Sequence, residues 1–252
     1  MKIRKIEKCK NNKYKLYIED DIIMTYDDVI LENNLLYKTD IENNLYNKII
    51  NDTKYYDIYN KALKYISKKR RSKKEMIKYL EKFSLSTMDI NSIIKKLEDI
   101  NLINDLEYCR AFINDSVYLS KKGINKIKIE LLENNIPIEI IEDEFSKVDY
   151  NIINARLEKM IVKRINSNKK YSNYELKYKI LNEMINMGYS KQKILEIIEN
   201  NLSEDNSIIK KEYDKLYNKY KVKYSTLELN NKIKQKLLSK GFKLDDINNL
   251  FQ

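Results

Sequence analysis

Residues 184–194, MINMGYSKQKI, carry a spacing that recurs at 80–90 (LEKFSLSTMDI), 131–141 (LLENNIPIEII) and 237–247 (LLSKGFKLDDI). In each, an apolar residue is followed four positions on by a small or polar one, then directly by a second apolar residue, and five positions later by isoleucine. The four sets are Leu80, Ser84, Leu85, Ile90; Leu131, Asn135, Ile136, Ile141; Met184, Gly188, Tyr189, Ile194; and Leu237, Gly241, Phe242, Ile247. The small residues stand 51, 53 and 53 positions apart. A fixed period of that length marks one supersecondary unit stacked on copies of itself, because a single unit cannot bury its own apolar face. Arrays of this kind mostly bind other macromolecules along their length. Ile, Leu and Asn are abundant enough to produce some agreement by chance, but cap signals recur in phase with the apolar ones.

Those caps set the layout within each unit. Ser72-x-x-Glu75, Ser172-x-x-Glu175 and Ser225-x-x-Glu228 read as capping boxes, in which the serine oxygen accepts from the third helical amide and the glutamate reaches back. The matching place in the second unit is Gly123, also acceptable as an N-cap. Gly188 and Gly241 fall where a helix needs a left-handed residue after its end, which glycine adopts at little cost. Cap and stop lie 12 residues apart in the first two units and 16 in the last two, so the second helix gains about one turn, roughly 6 Å. Each unit is expected to hold a long first helix (57–69, 105–120, 150–166 and 206–222), the capped second helix and a short third one. Ser86 with Asp89, Pro137 and Ser190 start the third helices, Pro137 suiting a first helical turn because its missing amide would be unpaired there.

The first fifty residues are organised differently. From Lys13 to Glu19, Tyr14, Leu16 and Ile18 alternate with Lys13, Lys15, Tyr17 and Glu19, the period of a half-buried strand. Asn11-Asn12 turns it back onto a strand from Ile3 to Cys9, and Ile22 to Tyr26 adds a third. Such a sheet must cover one face, so it is expected to pack on the helix after Asp27 or that after Thr39. The expected partition is an N-terminal cap, 1–54, and three-helix repeats over 55–103, 104–148, 149–203 and 204–252.

With 42% apolar residues in 252, a core is available despite 35% charged residues. No uncharged apolar stretch approaches membrane-spanning length and no signal peptide precedes the first strand, so a cytoplasmic protein is expected. Cys9 and Cys109 are a hundred residues apart and form neither a metal pair nor a disulfide framework; both are expected reduced and partly buried. There is no histidine, the commonest general base and metal ligand, and three scattered glycines cannot build a phosphate loop. Carboxylates alternate with lysine along helix faces. No catalytic residue, metal site or cofactor is expected, and the bias toward Lys, Asn, Ile and Tyr follows from an A+T-rich genome.

The net charge of +11 is uneven: residues 57–103 carry twelve basic and six acidic groups, whereas 104–148 carry six and nine. Lys68, Lys69, Arg70 and Arg71 end one helix and Lys73 and Lys74 open the next, so six cations converge on one corner able to hold a phosphate backbone or an acidic protein surface. Lysines at a helix C-terminus suit the macrodipole, but Lys73 and Lys74 at an N-terminus do not, which favours a binding role. Lys121, Lys122, Lys126 and Lys128 occupy the matching corner of the second unit, and Lys169 with Lys170 that of the third. Twenty-one tyrosines interleaved with lysine raise base stacking as an option, although most, such as Tyr55, Tyr59 and Tyr65, fall at helical spacing and read as packing.

Three ordered stretches resemble the bacterial regulatory protein RecX family. They are Ala62-Leu63-x-Tyr65-Ile66-x4-Arg71-Ser72-x2-Glu75-Met76-x3-Leu80, then Leu97-x4-Leu102-Ile103-Asn104-Asp105-x2-Tyr108-Cys109-Arg110-Ala111, and Gly123-x2-Lys126-Ile127-x2-Glu130-Leu131-x4-Ile136. The resemblance spans about residues 1–200 and looks like the longer form of Gram-positive bacteria. Asn104 stands in place of an aspartate, Tyr108 and Cys109 in place of a Phe-Ala pair, and Lys73 where glutamate is common. The resemblance implies a mainly α fold: an elongated, curved tandem array of four three-helix repeats behind a small β-strand-rich cap. It also implies a monomeric, non-enzymatic modulator of the RecA recombinase. Such a protein lies in the groove of the RecA filament on single-stranded DNA, limits growth, promotes disassembly and lowers ATP hydrolysis and strand exchange. On that reading the corner Lys68 to Lys74, with Lys121, Lys122, Lys126 and Lys128, contacts acidic filament surface or DNA phosphate, and direct binding to bare DNA is weak. The alternative is a free-standing helix-turn-helix-like DNA- or RNA-binding protein, although no recognition helix offers Arg, Asn and Gln on one face. A nuclease would need a carboxylate metal cluster.

Overall fold

Three antiparallel strands, β1 (Ile3–Lys8), β2 (Lys13–Ile18) and β3 (Asp21–Tyr26), form a sheet in the order β1-β2-β3. The structure is a computed structural model that describes residues 1–10, 12–202 and 207–251, so Asn11 of the expected turn and the 203/204 boundary lie outside the described residues. Asn12 takes the left-handed conformation (φ +55°) that a tight turn requires and that asparagine tolerates. The alternation of β2 sends Leu16 and Ile18 inward, 0% and 1% exposed, against Val29 and Ile30 of α1 (Asp27–Glu32) and Ile49 and Tyr56 of α2 (Asn43–Ile66). Both candidate helices therefore cover the sheet.

The first helix of the array is longer than the sequence suggests. α2 runs unbroken for 24 residues from Asn43, through the 54/55 boundary, because nothing between Asn43 and Ile66 breaks a helix: there is no Pro and no Gly. Its first half faces the sheet, and its second half packs on α3 (Lys73–Leu80) and α4 (Thr87–Asp99) through Ile58, Ala62, Met76, Leu80, Ile93 and Leu97. Tyr55 and Tyr59 border both clusters. α4 has 13 residues against eight in α3, so this third helix is not the short one expected.

Three more triplets follow: α5 (Asp105–Leu119), α6 (Ile124–Glu133) and α7 (Ile138–Ser146); α8 (Tyr150–Asn166), α9 (Asn173–Asn186) and α10 (Lys191–Asn201); α11 (Ser207–Tyr220), α12 (Thr226–Leu238) and α13 (Leu244–Asn248). The fold is thus mainly helical, a tandem helical array behind an N-terminal three-stranded sheet. The chain divides into two compact units, Met1–Tyr108 and Cys109–Gln252, the division falling within α5.

The caps explain where these helices begin. Ser72 forms a complete box: its hydroxyl accepts from the Glu75 amide at 3.1 Å, and the Glu75 carboxylate accepts from the Ser72 amide at 3.2 Å. Glu228 accepts from both the amide and the hydroxyl of Ser225, at 3.2 and 2.9 Å. At Ser172 only half the box forms. Its hydroxyl accepts from the Glu175 amide, while its own amide donates to the Lys240 carbonyl at 3.2 Å and Glu175 pairs instead with Lys179. Pro137 sits at the N-cap rather than inside the first turn, its extended ψ of 140° placing it one residue before α7.

Within the second unit the capped helices meet end to end. The Gly123 amide, at the start of α6, donates to the Met187 carbonyl at 2.7 Å, and the Asn125 amide donates to the Gly188 carbonyl at 3.0 Å. Gly188 and Gly241 have φ of +91° and +77°. A helix end rich in free carbonyls thus meets a helix start rich in free amides, which satisfies both. There is no room for a side chain where they touch: a Cβ on Gly123 would lie 2.4 Å from the Gly188 carbonyl group.

Candidate interaction surfaces

The densest basic corner lies in the first unit, where α2 stops at Ile66 and Ser72 starts α3. Its cations are largely matched. Lys69 and Arg71 both reach Glu75, at 3.7 and 3.5 Å, Arg70 reaches Glu107 at 3.1 Å, and the Lys73 ammonium lies 2.8 Å from Glu98. Asp105 accepts from the Lys73 amide at 3.0 Å, placing a carboxylate on the N-terminus of α3; burial raises its pKa despite that bond. These acidic groups offset the unfavourable placement of Lys73 at a helix start. Arg71 is a packing residue: its guanidinium lies 4.0 Å from the centroid of Tyr65, which stacks in turn on Tyr79 at 3.9 Å. Lys68, Lys69, Arg70, Lys73 and Lys74 are exposed, and Lys68 forms no ion pair among the described residues. Beside the corner is a cleft of about 580 Å³ lined by Leu63, Ile66, Arg70, Arg71, Leu102 and Tyr108.

The second cluster belongs to the second unit and is mixed. Lys122 pairs with Glu130 at 2.5 Å and lies over Phe112, and Lys128 reaches Glu142 at 3.5 Å and lies over Phe145. Lys121 and Lys126 are exposed without an ion pair among the described residues, and the Lys126 backbone packs on Gly188. The Lys121 carbonyl accepts from the Tyr189 hydroxyl at 3.1 Å.

Sequence reasoning missed the partners that neutralise the first corner, Glu98, Asp105 and Glu107, which come from other helices; only Glu75 was legible, as part of the cap. Asn104, despite replacing an aspartate, still caps α5 by accepting from the Glu107 amide at 3.0 Å. Most tyrosines pack, as with Tyr55, Tyr56 and Tyr59, which surround the Lys96 ammonium at 5.0, 4.7 and 5.7 Å. Cys9 is half-buried and Cys109 is buried, and the two do not form a disulfide. Among the described residues no group of three His, Cys, Asp or Glu could hold a metal ion, and no helix is long and apolar enough to cross a membrane.

No protein-family model matches the chain. Among curated proteins it is similar to Regulatory protein RecX of Streptococcus agalactiae serotype Ia, with 31% identity over 98% of this chain and 97% of that protein. It is also 31% identical to Regulatory protein RecX of Streptococcus mutans serotype c, over 99% of this chain and 98% of that one. A crystal structure of regulatory protein RecX shares the fold with a TM-score of 0.68 at 20% identity, covering 79% of this chain and 98% of that chain.

Proposed function

The chain belongs to the RecX family of regulatory proteins, and from that membership we propose that it is a non-enzymatic modulator, chiefly an inhibitor, of the RecA recombinase. It binds in the groove of the RecA filament on single-stranded DNA, limits extension, promotes disassembly, and lowers ATP hydrolysis and strand exchange. The observation that carries this reading is the likeness to RecX over nearly the whole chain, joined to an array of helices with a charge of +11. Two surfaces are proposed to meet the filament, one in each unit: the corner Lys68, Lys69, Arg70, Arg71, Lys73 and Lys74 in the first, and Lys121, Lys122, Lys126 and Lys128 in the second. The ion pairs at the first corner favour a protein partner there over a bare phosphate backbone, since Glu75, Glu98 and Glu107 interleave with the cations and would repel phosphate.

The test is DNA-dependent ATP hydrolysis by preformed RecA filaments, with this protein added well below one per RecA subunit. Inhibition is expected; unchanged hydrolysis would overturn the reading. A variant with Lys68, Lys69, Arg70 and Lys74 changed to glutamate is expected to abolish inhibition while keeping its fold. Arg71 is left intact because it packs on Tyr65. The competing reading, a free-standing nucleic-acid binder, requires tight, salt-sensitive binding to duplex DNA with no effect on hydrolysis.

A further inference from the structure

The turn between α11 and α12 carries apolar side chains that the fold does not use. Residues 221–228 are all exposed, and among them Val222 is 87% and Leu227 80% exposed. Neither joins the neighbouring core of Ile209, Leu216, Leu229 and Ile233. The repeat does not require them either. Around the equivalent cap Ser172, 53 residues earlier, the same positions hold Lys169 and Tyr174, which are exposed as well. These positions face solvent even where a further triplet follows, so Val222 and Leu227 are not a stacking face left open at the end of the array.

Cations and aromatic rings accompany them. Lys219, Lys221 and Lys223 are exposed and form no ion pair among the described residues. No acidic residue occurs between Asp214 and Glu228, and Glu228 is engaged with the amide and hydroxyl of Ser225. Tyr217 and Tyr224 are exposed. Tyr224 meets Tyr220 edge-on at 5.8 Å, and the Lys219 ammonium lies 5.4 Å from the Tyr220 centroid. One short turn thus presents two bare aliphatic side chains, three unpaired lysines and tyrosine rings.

We propose that this turn binds the surface of an anionic lipid bilayer, with Val222 and Leu227 inserted beneath the headgroups and Lys219, Lys221 and Lys223 on the headgroup phosphates. Exposed aliphatic side chains gain by leaving water but offer nothing to a phosphate backbone, and unpaired lysines do not suit an apolar protein groove. A bilayer interface takes both at once, with amphipathic tyrosine rings at the boundary. Binding there scales with the apolar area buried plus the attraction to anionic lipid. Each lysine close to such a surface strengthens binding about fivefold, so three together give roughly a hundredfold. The contact lies on the membrane and needs no spanning helix. It uses neither the corner at Lys68 to Lys74 nor RecA, so this inference and the recombinase reading can each fail alone.

The experiment uses the full chain, without nucleic acid or RecA, and vesicles of phosphatidylcholine with or without phosphatidylglycerol. The chain has no tryptophan, so Leu227→Trp places a single reporter in the turn. Its emission is expected to shift to the blue with the anionic vesicles, to be quenched by brominated acyl chains, and to stay unchanged with phosphatidylcholine alone. By co-sedimentation, changing Lys219, Lys221 and Lys223 to glutamine is expected to weaken binding about a hundredfold. The same loss of charge at Lys10, Lys38 and Lys68, exposed in the first unit, is expected to leave it nearly unchanged. Val222→Asn with Leu227→Asn is expected to weaken binding about tenfold or more. The proposal is overturned if the reporter neither shifts nor is quenched, or if the asparagine variant sediments like the unaltered chain. Equal weakening by the two glutamine triples also overturns it, since that is general adsorption of a protein with a charge of +11. So does a reporter that responds to an oligonucleotide and not to vesicles. Thermal unfolding of each variant checks that the fold is kept, which is expected because these side chains are exposed.

Discussion

Gly123 illustrates how one residue can satisfy a local rule for a non-local reason. As an N-cap it is replaceable by serine, which on capping grounds should hold or slightly improve α6. The structure predicts the opposite, because any Cβ there meets the Gly188 carbonyl group at 2.4 Å and the Tyr189 amide at 2.6 Å. Gly123→Ser is expected to destabilise by about 2–3 kcal/mol, the cost of overpacking a closed interface, read as a lower urea midpoint. Glu144 gives a pH prediction. It is buried, and bonds from Arg110 at 3.0 and 3.1 Å, with Lys147 at 2.7 Å, hold its pKa below the ordinary 4.5. A carboxylate whose folded pKa is depressed stabilises fully above the unfolded value and loses that contribution as pH falls through the folded one. Glu144→Gln is therefore expected to lower the urea midpoint at neutral pH and to change it much less at about pH 3. An equal loss at both pH values would show that the charge of Glu144 contributes nothing.

At the scale of elements, caps and strand alternation were legible because their interactions close within a few residues. Ser72 with Glu75 and Ser225 with Glu228 need no distant partner, and the inward set Leu16 and Ile18 follows from a period of two. The extent of α2 was not legible, since the change from facing a sheet to facing other helices occurs along an unbroken helix without a sequence signal. Lys54→Pro tests this. Lys54 is exposed, so the substitution disturbs the backbone alone, and inside a helix it is expected to cost about 3 kcal/mol or more. If the 54/55 boundary were a linker, the same change would leave the unfolding midpoint nearly unmoved. The half-formed box at Ser172 marks the limit of motif reading: the pattern is complete, but the Lys240 carbonyl takes the amide that Glu175 would have accepted from.

For the molecule as a whole, if the proposed function holds, a charge of +11 predicts electrostatically assisted association with the polyanionic filament. The association rate with RecA filaments is expected to fall steeply as ionic strength rises, with a smaller change in dissociation; a rate independent of salt would exclude charge as the driver. The sequence by itself determined the class of fold, the four-fold recurrence, the cap positions and the excess of positive charge, because each is written in spacings of a few residues or in composition. Only the tertiary structure decided which cations remain available to a partner. The Lys73 ammonium and Arg70 pair with carboxylates 25 and 37 residues away along the chain, while Lys169, Lys211 and Lys215 are brought to one cleft by a loop and α11. Neutralisation acts over a few ångströms in space, and no pattern along a single helix records which neighbour will stand there.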